Sequence, residues 1–239
     1  MARKPIGPTH AEVKAKLLRD PEVRREYQTL LPADRTAQLR QKRGPTQEQP
    51  AQPCSMRIVD LHPDDEATIR QVAALLVEGF RGVSAAWPDL TAGLDEVRAT
   101  LAPGRISRVA LAEEGAVLGW IGGKPEYGGN VWELHPLVVH PAHRRKGIGR
   151  ALVADLEGEV ARRGGHTLWL GTDDEDRRTS LGGVDLYPDP LAHLARIRNL
   201  AGHPYEFYLK VGFVLAGVVP DANGPGKPDI LMARRVARK

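Results

Sequence analysis

From residue 56 onward the hydrophobic and polar positions of this chain repeat with a period that switches between two and about 3.6. Residues 56–61 have the short period of a strand. Over 64–80 the apolar residues Ile69, Val72, Ala73, Leu76 and Val77 fall at helical spacing, which predicts an amphipathic helix. A shorter helix is expected over 94–101, and 107–112 and 117–122, separated by Gly115, read as a hairpin. The pattern then predicts a strand over 131–140, an amphipathic helix over 150–163 and a strand over 167–172. Helical stretches follow around 191–200 and 204–211, and strands over 213–219 and 230–234. Strands and helices in this mixture predict an α/β fold of the α+β kind, with one central sheet flanked by helices.

The first 55 residues have a different character. Thr9-His10-Ala11-Glu12 has the form of a capping box, Asp20-Pro21 that of an N-cap followed by proline, and Pro32 separates a third helical stretch ending near Arg43. Residues 44–53 hold three prolines and three glutamines and read as a linker. Charge separates the two parts as well. Residues 1–55 carry 11 Lys/Arg against 6 Asp/Glu, so the net charge of +4 for all 239 residues belongs to this extension, and the remainder is close to neutral. The expected organisation is a basic helical or disordered extension over 1–55 and a folded domain over 56–239.

With 41% hydrophobic residues, the chain can bury one sizeable core. No apolar run approaches the roughly 20 residues that cross a bilayer, and Met-Ala-Arg-Lys-Pro lacks a signal-peptide core, so a cytoplasmic location is expected. The single cysteine, Cys54, excludes an internal disulfide and a cysteine-rich metal site.

The richest chemistry lies at Arg144-Arg145-Lys146-Gly147-Ile148-Gly149, between the strand over 131–140 and the helix beginning near Arg150. Glycines let the backbone approach an anion, and the free N–H groups and positive dipole of a helix N-terminus then point at it. The three cations reinforce this reading. Pro136 in the preceding strand cannot donate to a sheet ladder, so pairing should fail there and leave a gap beside the turn. A slot beside an anion cradle suits a long phosphorylated cofactor.

Arg-x-x-Gly-x-Gly after a strand resembles the acetyl-CoA signature of the GNAT superfamily of N-acetyltransferases. Four further blocks narrow the resemblance: Trp132-Glu133-Leu134-His135-Pro136-Leu137-Val138-Val139, Leu170-Gly171-Thr172-Asp173-Asp174, His203-Pro204-Tyr205-Glu206-Phe207-Tyr208 and Lys227-Pro228-Asp229-Ile230. In order and spacing they are similar to chromosomal aminoglycoside 6′-N-acetyltransferases. The resemblance covers about residues 56–237. It implies a mostly antiparallel sheet splayed at the acetyl-CoA strand, acetyl-CoA as cofactor, a small polycationic amine as partner, a homodimer, and direct attack of the amine in a ternary complex. Cofactor contacts would come from Leu137, Val138, Val139, Arg144, Arg145, Lys146, Gly147, Ile148, Gly149, Arg150 and Tyr208.

Amine acetylation needs a deprotonated amine, a polarised thioester carbonyl and a proton for the departing thiolate. Strict strand alternation puts Glu133, His135 and Leu137 on one face, opposite Trp132 and Leu134. By resemblance the Leu137 N–H holds the thioester oxygen, and Glu133 binds the ammonium and takes its proton through water; as a strand carboxylate it could instead pair with a basic neighbour. His135 either assists proton removal or bonds the backbone. The resemblance implies that Tyr208 protonates or hydrogen-bonds the thiolate, with Tyr205, three residues away, the alternative. Asp173, Asp174 and Asp176 follow a strand end, where they either pair with ammonium groups or stay solvated beside Arg177 and Arg178. Trp87 and Tyr127 offer flat apolar faces to sugar rings, or belong to the core.

Two other readings of function stand beside the first. One is acetylation of another polyamine or of a protein amine. The other is a DNA-binding regulator whose body senses acetyl-CoA, since residues 17–52 faintly resemble the start of a helix-turn-helix regulator. Pro45 and Pro50 would break the helices such a motif needs, so nucleic acid is not the expected partner.

Overall fold

The computed structural model of the chain describes residues 56–82 and 86–236, together with Pro21. The capping box, the helical stretches and the linker expected before residue 56 lie outside the described residues.

Seven strands form one sheet: β1 (Met56–Asp60), β2 (Ile106–Ala112), β3 (Val117–Glu126), β4 (Val131–Val139), β5 (Thr167–Asp173), β6 (Val214–Val219) and β7 (Asp229–Arg235). Their order is β1-β2-β3-β4-β5-β7-β6, and every pairing is antiparallel except that of β4 with β5. The helices are α1 (Glu66–Phe80), α2 (Leu90–Thr100), α3 (Ile148–Arg162), α4 (Pro190–Ala195) and α5 (Tyr205–Lys210). This is the mixed, mostly antiparallel architecture expected.

Local chemistry sets the helix ends. The Asp65 side chain accepts from Thr68 N at 3.0 Å and starts α1, two residues inside the expected start. Asp89 does the same for Ala92 N at 2.9 Å, so α2 begins at Leu90, four residues earlier than the apolar pattern shows. In α2 a Cβ on Gly93 would stand 2.9 Å from Ala73 O, so glycine permits the close crossing with α1. The helix expected around 191–200 is only the six residues of α4, because the chain turns back beyond it and Asn199 bridges to Thr179.

The sheet is packed on both faces. On one face Ile148, Leu152, Leu156 and Val160 of α3 bury against Trp132, Leu134, Leu168 and Leu170. On the other, Ile69, Val72 and Leu76 of α1 and Val97 of α2 bury against Val109, Trp120 and Val138. Each buried aliphatic side chain contributes about 1.5–3 kcal/mol by leaving water, and these two layers clamp β4 between them.

β4 does not alternate simply. Leu137 pairs with Ile121 and Leu134 with Gly123, so one residue of β3 faces two of β4, and His135-Pro136 forms a β-bulge opposite Gly122. A Cβ on Gly122 would run into His135 O, which explains the glycine. The extra residue inverts the side-chain direction. Leu134 packs toward α3 before the bulge and Leu137 does so after it, whereas Val138 packs toward α1. Glu133, flanked by Trp132 and Leu134, therefore points to the α1/α2 face. The expectation that Glu133 and Leu137 share a face is corrected: they point to opposite faces, because the bulge adds one residue to the count.

Pairing of β4 with β5 ends at Glu133 opposite Trp169. Beyond that point the two strands diverge. The gap expected from Pro136 is present, and it opens three residues earlier than the proline itself.

Candidate active site

The first cleft, about 570 Å³, lies where β4 ends, α3 begins and α5 packs alongside. Leu137, Val138, Val139, Arg144, Arg145, Gly147, Ile148, Gly149, Arg150 and Tyr208 line it, all of them expected to hold the cofactor, together with Arg178 from the loop after β5. Lys146 is exposed and does not line it. Gly147 caps α3 in the left-handed region at φ 87°, with nothing within 4 Å of where its Cβ would be. No side chain caps this helix, so its first N–H groups are open to a ligand. Arg144 is oriented by hydrogen bonds to Val139 O and Gly79 O, both 3.3 Å, and Arg150 by one to Lys210 O at 3.3 Å. Four arginines and no carboxylate among the lining residues make a cleft for an anion. Open amides and an unobstructed glycine suit a pyrophosphate, and so fit the expected cofactor.

The second cleft, about 410 Å³, occupies the gap between β4 and β5. Its lining is acidic: Glu96 of α2 with Asp173, Glu175 and Asp176 after β5, set against Arg178 and His135. Phe80, Leu137, Arg178, Pro204 and Tyr208 line both clefts, so the two meet there. The guanidinium of Arg178 donates to Ala201 O at 3.1 Å and to Gly202 O at 2.8 Å, which fixes it to the backbone before α5.

Tyr208 stands at the junction, and burial pushes its phenol well above the usual range, so it stays protonated. Tyr205, by contrast, is a core residue beside His203. His203 is buried and ties the two sides together. Its Nε2 lies 2.9 Å from Asp173 O and its Nδ1 accepts from Tyr205 N at 3.2 Å, while burial lowers its pKa.

His135 lines the acidic cleft, with Nε2 3.8 Å from Glu96 Oε1 and its ring 5.9 Å from that of Trp87. Trp87 lines this cleft too, edge-on to Phe80. Glu133 lines neither cleft directly. It lies on the sheet face that α1 and α2 cover, 3.3 Å from Lys124 Nζ, and Lys124 is raised in pKa chiefly by its hydrogen bond to Glu126 and then by that to Glu133.

Two expected substrate residues are corrected. Asp174 is fully buried and lines neither cleft: its carboxylate accepts from Arg178 N at 2.6 Å, Thr179 N at 2.9 Å and Thr179 Oγ1 at 2.7 Å, so it builds the loop. Tyr127 is exposed in a turn beyond β3 and lines neither cleft, because its backbone at φ 49° serves the link to β4. Glu96, Arg178 and Phe80 join the clefts without a mark in the local pattern, whereas Glu175 belongs to the visible run of acids after β5. Glu96 has the signature of a solvent-facing position on α2, and Arg178 that of a neutraliser of nearby acids.

A cationic donor cleft joined to an acidic acceptor cleft is the arrangement of a group-transfer enzyme. Residues 70–182 match the acetyltransferase (GNAT) family. The structure is similar to that of an aminoglycoside 6′-N-acetyltransferase complexed with coenzyme A, at 40% identity and a TM-score of 0.70, over 77% of this chain and 98% of that one. The aminoglycoside 6′-N-acetyltransferase from Enterococcus faecium matches with the same values. An aminoglycoside 6′-acetyltransferase type Ii matches at 36% identity and a TM-score of 0.58, over 77% of this chain and 99% of that one. No curated protein matches the chain. The chain belongs to the GNAT family of acetyltransferases, and it is an acyltransferase.

Proposed function

We propose that the chain is an acetyl-CoA-dependent N-acetyltransferase that acetylates the 6′-amine of aminoglycosides by direct attack in a ternary complex. One observation carries the reading: an acidic acceptor cleft meets an arginine-lined donor cleft at Leu137 and Tyr208. Aminoglycosides are polyamine sugars, and carboxylates with one flat aromatic wall, Trp87, suit them. The similarity to aminoglycoside 6′-N-acetyltransferases at 40% identity supports the same substrate class.

Acetyl-CoA, when bound, supplies an activated acetyl thioester. The amides of Gly147, Ile148, Gly149 and Arg150, with Arg144 and Arg145, hold its phosphates, while Leu137, Val138 and Val139 align it along the opened edge of β4. Leu137 offers its backbone N–H where the carbonyl must be polarised. Glu133 and His135, on the acceptor side of the bulge, receive the ammonium proton, Glu133 through water. Tyr208, kept protonated by burial, offers its phenol O–H as a hydrogen bond to the departing thiolate. Asp173, Glu175, Asp176 and Glu96 surround the remaining ammonium groups.

Acetyl-CoA consumption measured in parallel with kanamycin, spermidine and a lysine peptide tests this. Kanamycin should give the highest kcat/KM. Preferred turnover of spermidine or of the peptide would replace the substrate class while leaving the family intact.

A further inference from the structure

The acceptor cleft has a floor that its own lining residues do not explain. Gly171 of β5 lines the cleft, and behind it the carboxylate of Asp229, at the start of β7 and itself lining neither cleft, packs against the Gly171 backbone. A Cβ on Gly171 would stand 2.8 Å from Asp229 Oδ1 and 2.9 Å from its Cγ, with Oδ2 nearer still. Glycine at 171 therefore leaves the space in which this carboxylate fits against the floor. Asp229 Oδ1 is buried and finds no hydrogen-bond partner among the described residues. Asp229 as a whole is half-buried, so a donor from solvent would meet the carboxylate through Oδ2, the oxygen nearest Gly171.

The charges around it say which donor. Asp173 is its cross-strand partner on β5, and the charge of Glu133 on β4 also acts on it. Both are acidic. The nearby cations are engaged elsewhere, Lys124 with Glu126 and Glu133, and Lys227 with Glu175. Burial, and after it the charge of Asp173, push Asp229 up to about 6, against a partial lowering by the backbone amides of Thr172 and Ile230. A cation brought in from solvent would relieve both raising effects at once.

Resting on the acetyltransferase reading above, we infer that Asp229 is a specificity-determining residue: its carboxylate, bared by Gly171, takes a second ammonium group of a polyamine acceptor while another amine reacts. It touches the substrate away from the reacting centre, so it governs which amines bind rather than how fast they are acetylated. Near neutral pH the group is mostly ionised and holds the ammonium. As pH falls through about 6 it takes up a proton and releases its hold.

The test compares kanamycin, which carries several ammonium groups, with 6-amino-6-deoxyglucose, which carries one. Asp229→Asn should raise KM for kanamycin about tenfold, the scale of one charge-assisted contact, and change kcat by less than about threefold. KM for the monoamine should stay within about twofold. The wild-type fall in kcat/KM for kanamycin between about pH 7 and 5 should flatten in the variant. Gly171→Ala keeps the charge but drives a methyl into the carboxylate, and should raise the kanamycin KM in the same way, which covers the case in which Asp229→Asn folds poorly. A kanamycin KM and pH profile unchanged in either folded variant overturns the inference. Failure of the wild-type protein to acetylate kanamycin at all overturns the substrate reading with it, before any variant is compared.

Discussion

The two clefts that meet at Tyr208 are made in opposite ways. Nine of the sixteen residues that line the donor side, its glycine turn and three of its four arginines among them, come from one stretch, Leu137 to Arg150, along β4, a turn and α3. The acceptor side gathers Trp87 before α2, Glu96 on α2, His135 on β4, Asp173, Glu175 and Asp176 after β5, and the floor at Gly171. A ligand held by backbone depends on local conformation, whereas one held by scattered side chains depends on the packing of distant elements. The first arrangement tolerates little change and the second can be retuned one position at a time.

That contrast can be broken most sharply at Gly147. Gly147→Asp puts a negative charge where the cradle needs a cationic field, in a residue at φ 87°. Titration calorimetry should show acetyl-CoA affinity lowered by at least about 10²-fold, equivalent to about 2.7 kcal/mol, in a protein with unchanged circular dichroism. Unchanged affinity would mean that the phosphates bind elsewhere. A second effect, confined to the acceptor side, is expected from Glu133→Gln, which keeps shape and removes basicity. The kcat/KM for the amine should fall by about 10²-fold with cofactor affinity intact, the usual scale for loss of a general base. Near-normal turnover would move the proton to His135, which lines the cleft beside Glu96.

The smallest and most diagnostic change concerns the loop that carries the acceptor acids. Asp174→Asn turns one acceptor into a donor facing Arg178 N or Thr179 N and Oγ1, and should cost about 2 kcal/mol in urea denaturation. Because this loop presents Asp176 and Glu175, KM for the amine should rise modestly while cofactor binding stays as it was. A variant of full stability with a large rise in KM would instead make Asp174 a substrate ligand.

The same contrast explains what the amino-acid sequence discloses. The donor side is legible because its residues are contiguous: a strand, a proline that opens it, cations, glycines and a helix announce the cleft and its ligand in one uninterrupted run. Strand and helix identities from residue 56 onward are legible for a similar reason, since each is written in local periodicity. The face of Glu133 is not legible, because a bulge of one residue inverts every later side chain and leaves no mark on hydrophobic periodicity. Asp174 and Asp173 look alike as neighbours in a run of acids. Only the fold shows that one is consumed by three donors of its own loop and the other reaches the cleft. Glu96 and Arg178 enter the site by tertiary approach alone, from elements whose local pattern carries no sign of it.

The single extra residue at His135-Pro136 has one further meaning. Because side-chain direction is reset there, Leu134, His135 and Pro136 line the acceptor cleft, Val138 and Val139 the donor cleft, and Leu137 both. The bulge thus divides one strand between two binding surfaces that are hinged on a single shared residue.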